Sequence, residues 1–333
     1  MRFKPSRRSF LASLAAIAGA PAFAQDQTAG AVIIYTSNNQ QAVQAVTDTA
    51  AKLLPRMKIS TITGGSGQLL RRLEAEAAKP QGDIFWSSSA NTLGAFRPLY
   101  DAYTSPAAAA IPGGLAEPGG LWTASNLHVV TLMVNTRQLG GNPKPRTWND
   151  LLNPGWKGKL IIADPANSST AYTILWGVRQ MLGADALKRL AVNTVVTSAA
   201  ATVLRSVGQG EYAVGLTFES NAYAYVAGGQ KEIELVYPED GTFTSPEFLV
   251  LVKNAPNGDA ARKAYDMILA RETQIALLEA AFRRPSRSDI DVSQFVQLPN
   301  LASIKVFPID EDDAAAKRNA FLAEWNAAVA AAK

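Results

Sequence analysis

Three times within the first hundred residues, a short apolar run stops at a cluster of hydroxyl, amide or glycine residues and gives way to a helical stripe. Ala31 to Tyr35 reads as a buried strand, with Thr36, Ser37, Asn38 and Asn39 as its polar end. Val43, Val46, Ala50, Leu53 and Leu54 then recur at the spacing of one helix face. Lys58 to Thr63 alternates as a strand, turns at Gly64-Gly65-Ser66-Gly67, and is followed by Leu69, Leu70, Leu73 and Ala77 at helical spacing. Asp83 to Trp86 is a third strand, ending in Ser87, Ser88 and Ser89. Apolar strands alternating with one-sided helices bury their surfaces when helices cover both faces of a sheet, so the repeat predicts a doubly wound α/β lobe. Ligands in such sheets sit beyond the carboxyl ends of the strands, where these polar clusters stand.

The pattern restarts later. A β-rich segment from Leu127 to Asn135 leads to Pro143, Pro145 and Pro154, a break that reads as passage into a second lobe. Leu160 to Ala163 is the next strand, the loop to Ser168, Ser169 and Thr170 its end, and Ile174, Leu175, Val178, Met181 and Leu182 the buried face of a helix. A short helix is expected over Ala201 to Val207, strands over Tyr212 to Phe218 and Ile233 to Tyr237, and a helix from Glu219-Ser220-Asn221 to Ala227. Phe248 to Val252 is a return strand, followed by helices over Asp259 to Ala270 and Glu272 to Phe282. Asp312 to Lys333 reads as one Ala-rich helix without evident chemistry.

Ahead of all this, Ser6-Arg7-Arg8-Ser9-Phe10-Leu11 reads as a twin-arginine export signal, and Ala22-Phe23-Ala24 as its cleavage site. The apolar run from Leu11 to Ala20 is far shorter than the roughly 20 residues that span a bilayer. Export into the periplasm with cleavage near Ala24 is expected. The signal holds four of the 32 Lys and Arg residues and no acid, leaving 28 to balance 28 Asp and Glu. A neutral mature chain gives no argument for a nucleic-acid partner. The absence of cysteine excludes a disulfide framework, and a single histidine, His128, excludes His-rich zinc sites.

The order and spacing of several segments resemble the type II periplasmic solute-binding proteins of ABC importers, in the branch related to ferric-binding proteins. The segments are YTSNN at Tyr35 to Asn39, TGGSGQLLRRLEAE at Thr63 to Glu76, GDIFWSSS at Gly82 to Ser89 and ADPANSSTAYT at Ala163 to Thr173. GLTFESNAYAYV at Gly215 to Val226, VYPEDGT at Val236 to Thr242 and RRPSR at Arg283 to Arg287 complete the match. The resemblance implies two doubly wound α/β lobes joined by crossing hinge strands, with the solute between them. It divides the chain into a first lobe of 31–127 plus about 247–290, a second of 128–246, and a C-terminal helical segment of 291–333 packed on both. It further implies a non-enzymatic monomer without cofactor, delivering a small-molecule solute to an inner-membrane ABC permease.

In the iron-binding members of that family a histidine follows the first strand and a tyrosine pair follows the strand matching Tyr212 to Phe218. Here those positions hold Asn39, and Ser220 with Asn221. Ferric iron favours phenolate and carboxylate oxygen, so no metal site is expected, and iron carried with an exogenous anion is the alternative. Tyr223 and Tyr225, two apart on one helix, point in different directions.

Hydroxyls, amides and unpaired N–H groups at helix starts suit an oxyanion. The expected ligand contacts are Thr36, Ser37, Asn38, Asn39, Ser66, Gly67, Ser87, Ser88, Ser168, Ser169 and Thr170, with Glu219, Ser220 and Asn221 from the second lobe. Each loop alone also fits ordinary N-capping. The glycine turn lacks the GxxxxGK spacing of nucleotide loops, and Gln68 breaks GxSxG. A serine hydrolase using Ser66 and His128 is the remote alternative. Glu219, if it faces the cleft, suits an ammonium or a sugar hydroxyl. The favoured solutes are 2-aminoethylphosphonate and a sugar phosphate. His128 reads as a half-buried structural residue, Trp86, Trp122 and Tyr172 as core, and Arg283, Arg284 and Arg287 as a solvated cluster or an inter-lobe ion pair.

Overall fold

The computed structural model describes residues 30–332, so the expected export signal and cleavage site lie outside the described residues. Its strands are β1 (Gly30–Thr36), β2 (Met57–Thr63), β3 (Ile84–Trp86), β4 (Tyr100–Asp101), β5 (Thr123–Asn135), β6 (Leu160–Ala163), β7 (Thr194–Thr197), β8 (Val214–Phe218), β9 (Ile233–Val236), β10 (Thr244–Val252) and β11 (Arg284–Pro285). The helices are α1 (Gln40–Leu53), α2 (Ser66–Ala75), α3 (Ala90–Leu93), α4 (Ser169–Leu182), α5 (Ala184–Asn193), α6 (Ala200–Gly208), α7 (Glu219–Ala227), α8 (Gly258–Leu269), α9 (Arg271–Ala281), α10 (Glu311–Ala316) and α11 (Arg318–Ala331).

The strands follow one path, β2-β1-β3-β10-β5-β8-β6-β7, with β4 on β10 and with β9 and β11 on β5. Pairing is parallel within each lobe, β1 with β2 and β3, β6 with β7 and β8. It is antiparallel wherever β10 and β5 take part. Thirteen-residue β5 pairs through Thr123 to Val129 with β10 and through Val130 to Val134 with β8, so it runs from one lobe into the other.

Alternation along β1 distributes the first lobe's core over two faces. Val32 and Ile34 pack with Trp86, Ile268 and Leu277 on one face, and Tyr35 packs with Leu70, Phe85 and Val250 on the other. The second core gathers Trp148, Trp156, Tyr172 and Trp176. Trp86 and Tyr172 are core residues, and Trp122 joins the core around Phe248.

The short elements α3, β4 and β11 are not expected from the sequence, and two larger features also depart from expectation. α5 and β7 carry no expected counterpart, and their apolar positions Leu187, Leu190 and Val195 lie between longer patterns. The C-terminal helix is two helices, broken at Lys317 (φ −95°, ψ 4°). Beyond the break, Phe321 and Trp325 enter the second core, while Glu311 and Arg318 reach Asn91 and Thr92 of the first lobe.

Candidate functional site

The strand ends are built by their own polar residues. Asn39 caps α1, its Oδ1 accepting from the Ala42 amide at 3.0 Å. Asn38 Nδ2 donates to Thr36 Oγ1 at 3.1 Å and to the Trp86 carbonyl at 3.3 Å. The Ser37 and Ser87 hydroxyls meet at 2.5 Å, and Ser88 is held at φ 71°. A left-handed serine is costly backbone of the sort found at binding sites. Ser168 caps α4, accepting from the Ala171 amide at 3.3 Å.

These ends converge on a cavity of about 410 Å³. From the first lobe come Ser37, Asn38, Asn39, Ser66 and Ser88; from the second come Ser168, Ser169, Thr170 and Asn221. The starts of α1, α2, α4 and α6 all border it, the last through Ala199, Ala200 and Ala201 with no side-chain cap. Unpaired donors and the positive end of each helix therefore face one volume.

Five expected contacts lie off this wall. Thr36 and Ser87 are buried behind it and position Asn38 and Ser37. Gly67 belongs to the contact between lobes, described below, and Ser220 is buried in the first turn of α7. Glu219 points away: its two oxygens accept from Arg284 Nε at 2.6 Å and Nη2 at 2.8 Å, and Tyr237 donates to it at 2.5 Å. Engaged by Arg284 and Tyr237 and absent from the cavity lining, Glu219 does not stand where the expected contact with a solute needs it.

The charged groups on the wall are ones the sequence reading did not place there. Phe282, left-handed at φ 56°, ends α9, and β11 then pairs Arg284 with Leu127, which sets Arg283 against His128. Arg283 Nη1 lies 2.7 Å from His128 Nε2 and 3.1 Å from Nδ1. Burial and the Arg283 charge hold the His128 pKa below the usual histidine value, so the imidazole is neutral at pH 7 and accepts from the guanidinium. Phe218 stacks on the imidazole at 4.3 Å.

Glu247 completes the group, Oε1 lying 3.6 Å from His128 Nε2. Burial pushes its pKa up, but the neighbouring His128 and the Arg283 charge outweigh burial and leave it below the ordinary glutamate value. Glu247 stands where the β10–β5 register shifts, between Glu247 and Phe248, and such bulges re-aim side chains beside binding sites. A signal for these residues existed in the sequence: a carboxylate next to the apolar run Phe248 to Val252, and an arginine pair after a helix. The remaining arginine of the cluster, Arg287, pairs with Asp289 at 2.7 Å.

The lobes touch beside the cavity. The Ser169 amide donates to Ser66 Oγ at 2.9 Å, and Arg71 Nη2 donates to Asn167 Oδ1 at 2.9 Å. No tyrosine lines the cavity, and no group of three or more His, Cys, Asp or Glu among the described residues is arranged to hold a metal ion.

The profile of a family described as bacterial extracellular solute-binding protein matches residues 83–316. A Salmonella typhi protein provisionally named a 2-aminoethylphosphonate-binding periplasmic protein is 24% identical over 345 residues, 96% of this chain and 97% of that one. Among solved structures, the periplasmic binding protein AfuA from Actinobacillus pleuropneumoniae, with exogenous fructose-6-phosphate bound, is 26% identical at a TM-score of 0.81, covering 91% of this chain and 99% of that one. Iron-bound HitA from Pseudomonas aeruginosa shares the fold, at 18% identity and a TM-score of 0.77, over 90% of this chain and 99% of its own.

Proposed function

The chain belongs to the bacterial extracellular solute-binding protein family, and from that premise we propose that it is the periplasmic binding component of an ABC importer for a small phosphorylated or phosphonylated organic solute. The observation that carries this reading is the cavity wall, which buried Arg283 shares with four helix starts. A guanidinium supplies directed donors to a phosphoryl group, and helix starts supply more without adding charge. The volume suits a small organic molecule. Inside a closed cleft, removed from water, each of these bonds strengthens.

The relatives support the same class, one by its name and one by its bound sugar phosphate. Iron is the second reading, supported by the fold shared with HitA. The wall offers it amides, hydroxyls and a guanidinium, where ferric iron favours anionic oxygen. The protein in this account performs no chemistry on the solute. It closes by hinge rotation about β5 and β10, between a lobe of 31–127 plus about 247–290 and one of 128–246, with 291–333 packed on both. It leaves the cytoplasm by the twin-arginine route and meets its permease as a monomer.

A thermal-shift screen of the chain from Gln25 onward against phosphonates, sugar phosphates, polyamines and ferric citrate tests the proposal. A ligand at 100 times its dissociation constant stabilises by about 2.7 kcal/mol, and only the phosphoryl compounds should do so. Stabilisation by ferric citrate alone would refute it.

A further inference from the structure

On the cavity wall His128 stands between the two charged residues, Arg283 and Glu247, and all three are buried. Its Nε2 is contested. Two donors approach it, Arg283 Nη1 at 2.7 Å and Asn126 Nδ2 at 3.3 Å, and so does one acceptor, Glu247 Oε1 at 3.6 Å. Ser125 Oγ donates to Asn126 Oδ1 at 3.0 Å, which keeps the amide nitrogen of Asn126 on the side of the ring. A lone pair on Nε2 serves the two donors and opposes the carboxylate, whereas a proton there serves the carboxylate and opposes the donors. One nitrogen cannot do both, so the ring has two competing states and the surrounding charge selects between them. Burial and Arg283 hold it neutral, against the pull of Glu247 and, behind it, of Glu219. Asn38 favours the charged form of Glu247, Glu219 is itself tied to Arg284, and Phe218, stacked on the ring, carries no charge.

A phosphoryl dianion beside Arg283 reverses that balance. It brings two negative charges to walls on which the guanidinium and the carboxylate cancel, and it offsets the guanidinium field that opposes protonation. Resting on the phosphoryl reading above, we propose that His128 takes up a proton when the solute binds, so that the anion is held by an imidazolium as well as a guanidinium. The proton comes from solvent and joins the Nε2 lone pair, and the new N–H faces Glu247. His128 is then a positioning residue whose charge follows the solute, as histidine can near neutral pH. Linkage makes the effect reciprocal: a solute that raises the proton affinity of the ring must itself bind more weakly as pH rises.

Because His128 is the only histidine in the sequence, ¹⁵N-histidine labelling of the chain from Gln25 onward gives nuclear magnetic resonance spectra of this ring alone. The ring is titrated from pH 5 to 9 in the free protein and in protein saturated in turn with inorganic phosphate, 2-aminoethylphosphonate and a hexose 6-phosphate. The free ring should be neutral at pH 7, and with each probe that binds the pH at which it charges should rise by about one unit or more. Calorimetry above pH 7 should show native affinity falling by up to about tenfold per pH unit, and His128→Gln should flatten that slope. A ring that charges at the same pH free and saturated, or that is already charged in the free protein at pH 7, overturns the proposal and leaves the phosphoryl reading standing. A folded variant that keeps the native slope overturns it as well, and the spectra decide alone if the variant does not fold. Failure of all three probes to bind overturns both.

Discussion

Gly67 passes so close to the second lobe that a Cβ added to it would stand 2.0 Å from the carbonyl oxygen of Ala166. The helix start that faces the solute is thus also the surface on which the lobes meet. Gly67→Ala should block closure and spare each lobe, because the clash exists only across the cleft. Affinity should fall by about tenfold or more, since solute in an open cleft keeps its water. Calorimetry and small-angle scattering check this. An unchanged affinity with a normal closed envelope would show that the contact between Gly67 and Ala166 is not part of closure.

Ser169 and Thr170 line the cavity, whereas the cap of α4 belongs to Ser168. Replacing both with Ala should weaken phosphoryl binding by about tenfold or more, as bonds to charged groups contribute roughly 1.5–3 kcal/mol each. The melting temperature of the empty protein should barely move. Loss of stability at unchanged affinity would assign them to the fold.

Arg284 and Glu219 form a buried pair, 4% and 2% exposed. Arg284→Met strands the carboxylate and should destabilise the protein by about 3–5 kcal/mol, read from urea denaturation. Solute selectivity, in contrast, should survive Glu219→Gln wherever the variant folds. A change in solute preference in that variant would place Glu219 in the cavity wall.

The two lobes and the cavity's neutral half were legible because they depend on local patterns. Strand-to-helix transitions put Ser37, Asn39, Ser66, Ser88 and Ser168 at strand ends and helix starts, and all five line the cavity, since such an end is decided by residues within one turn of it. The charged half was not legible. Arg283 reaches His128 over 155 positions, and which of two adjacent arginines faces inward depends on a two-residue pairing of β11 with β5. The same ambiguity covers the two glutamates: both Glu219 and Glu247 stand next to apolar strands, and the partner Arg284 engages Glu219 away from the cavity while Glu247 lines it. Lys317 breaks the terminal helix at a residue with no breaker chemistry, because tertiary contacts of Glu311 and Arg318 on either side fix its direction.

Glu311 makes stability depend on pH. Burial pushes its carboxyl up to about 7, against the pull of the Asn91 amide 2.5 Å away. The folded chain therefore keeps a proton that the unfolded chain loses near its ordinary value of 4.5. Between those values unfolding releases a proton, so stability should be greatest at the acid end and fall by up to about 1.4 kcal/mol per pH unit as pH rises. Urea midpoints at pH 5, 6 and 7 measure the slope, and Glu311→Gln should flatten it. An identical slope in the variant would place the titrating group elsewhere.

The central claim, that Arg283 and the surrounding helix starts hold a phosphoryl group, is tested most directly by titrating native protein and Arg283→Gln with the phosphoryl compound that stabilises the native chain most. Binding to the native protein should be saturable and one-to-one, and a folded variant should lose about a hundredfold or more in affinity, because a buried charged contact to the anion is removed. Equal affinity in the two proteins, or no saturable binding of any phosphoryl compound to the native one, would contradict it.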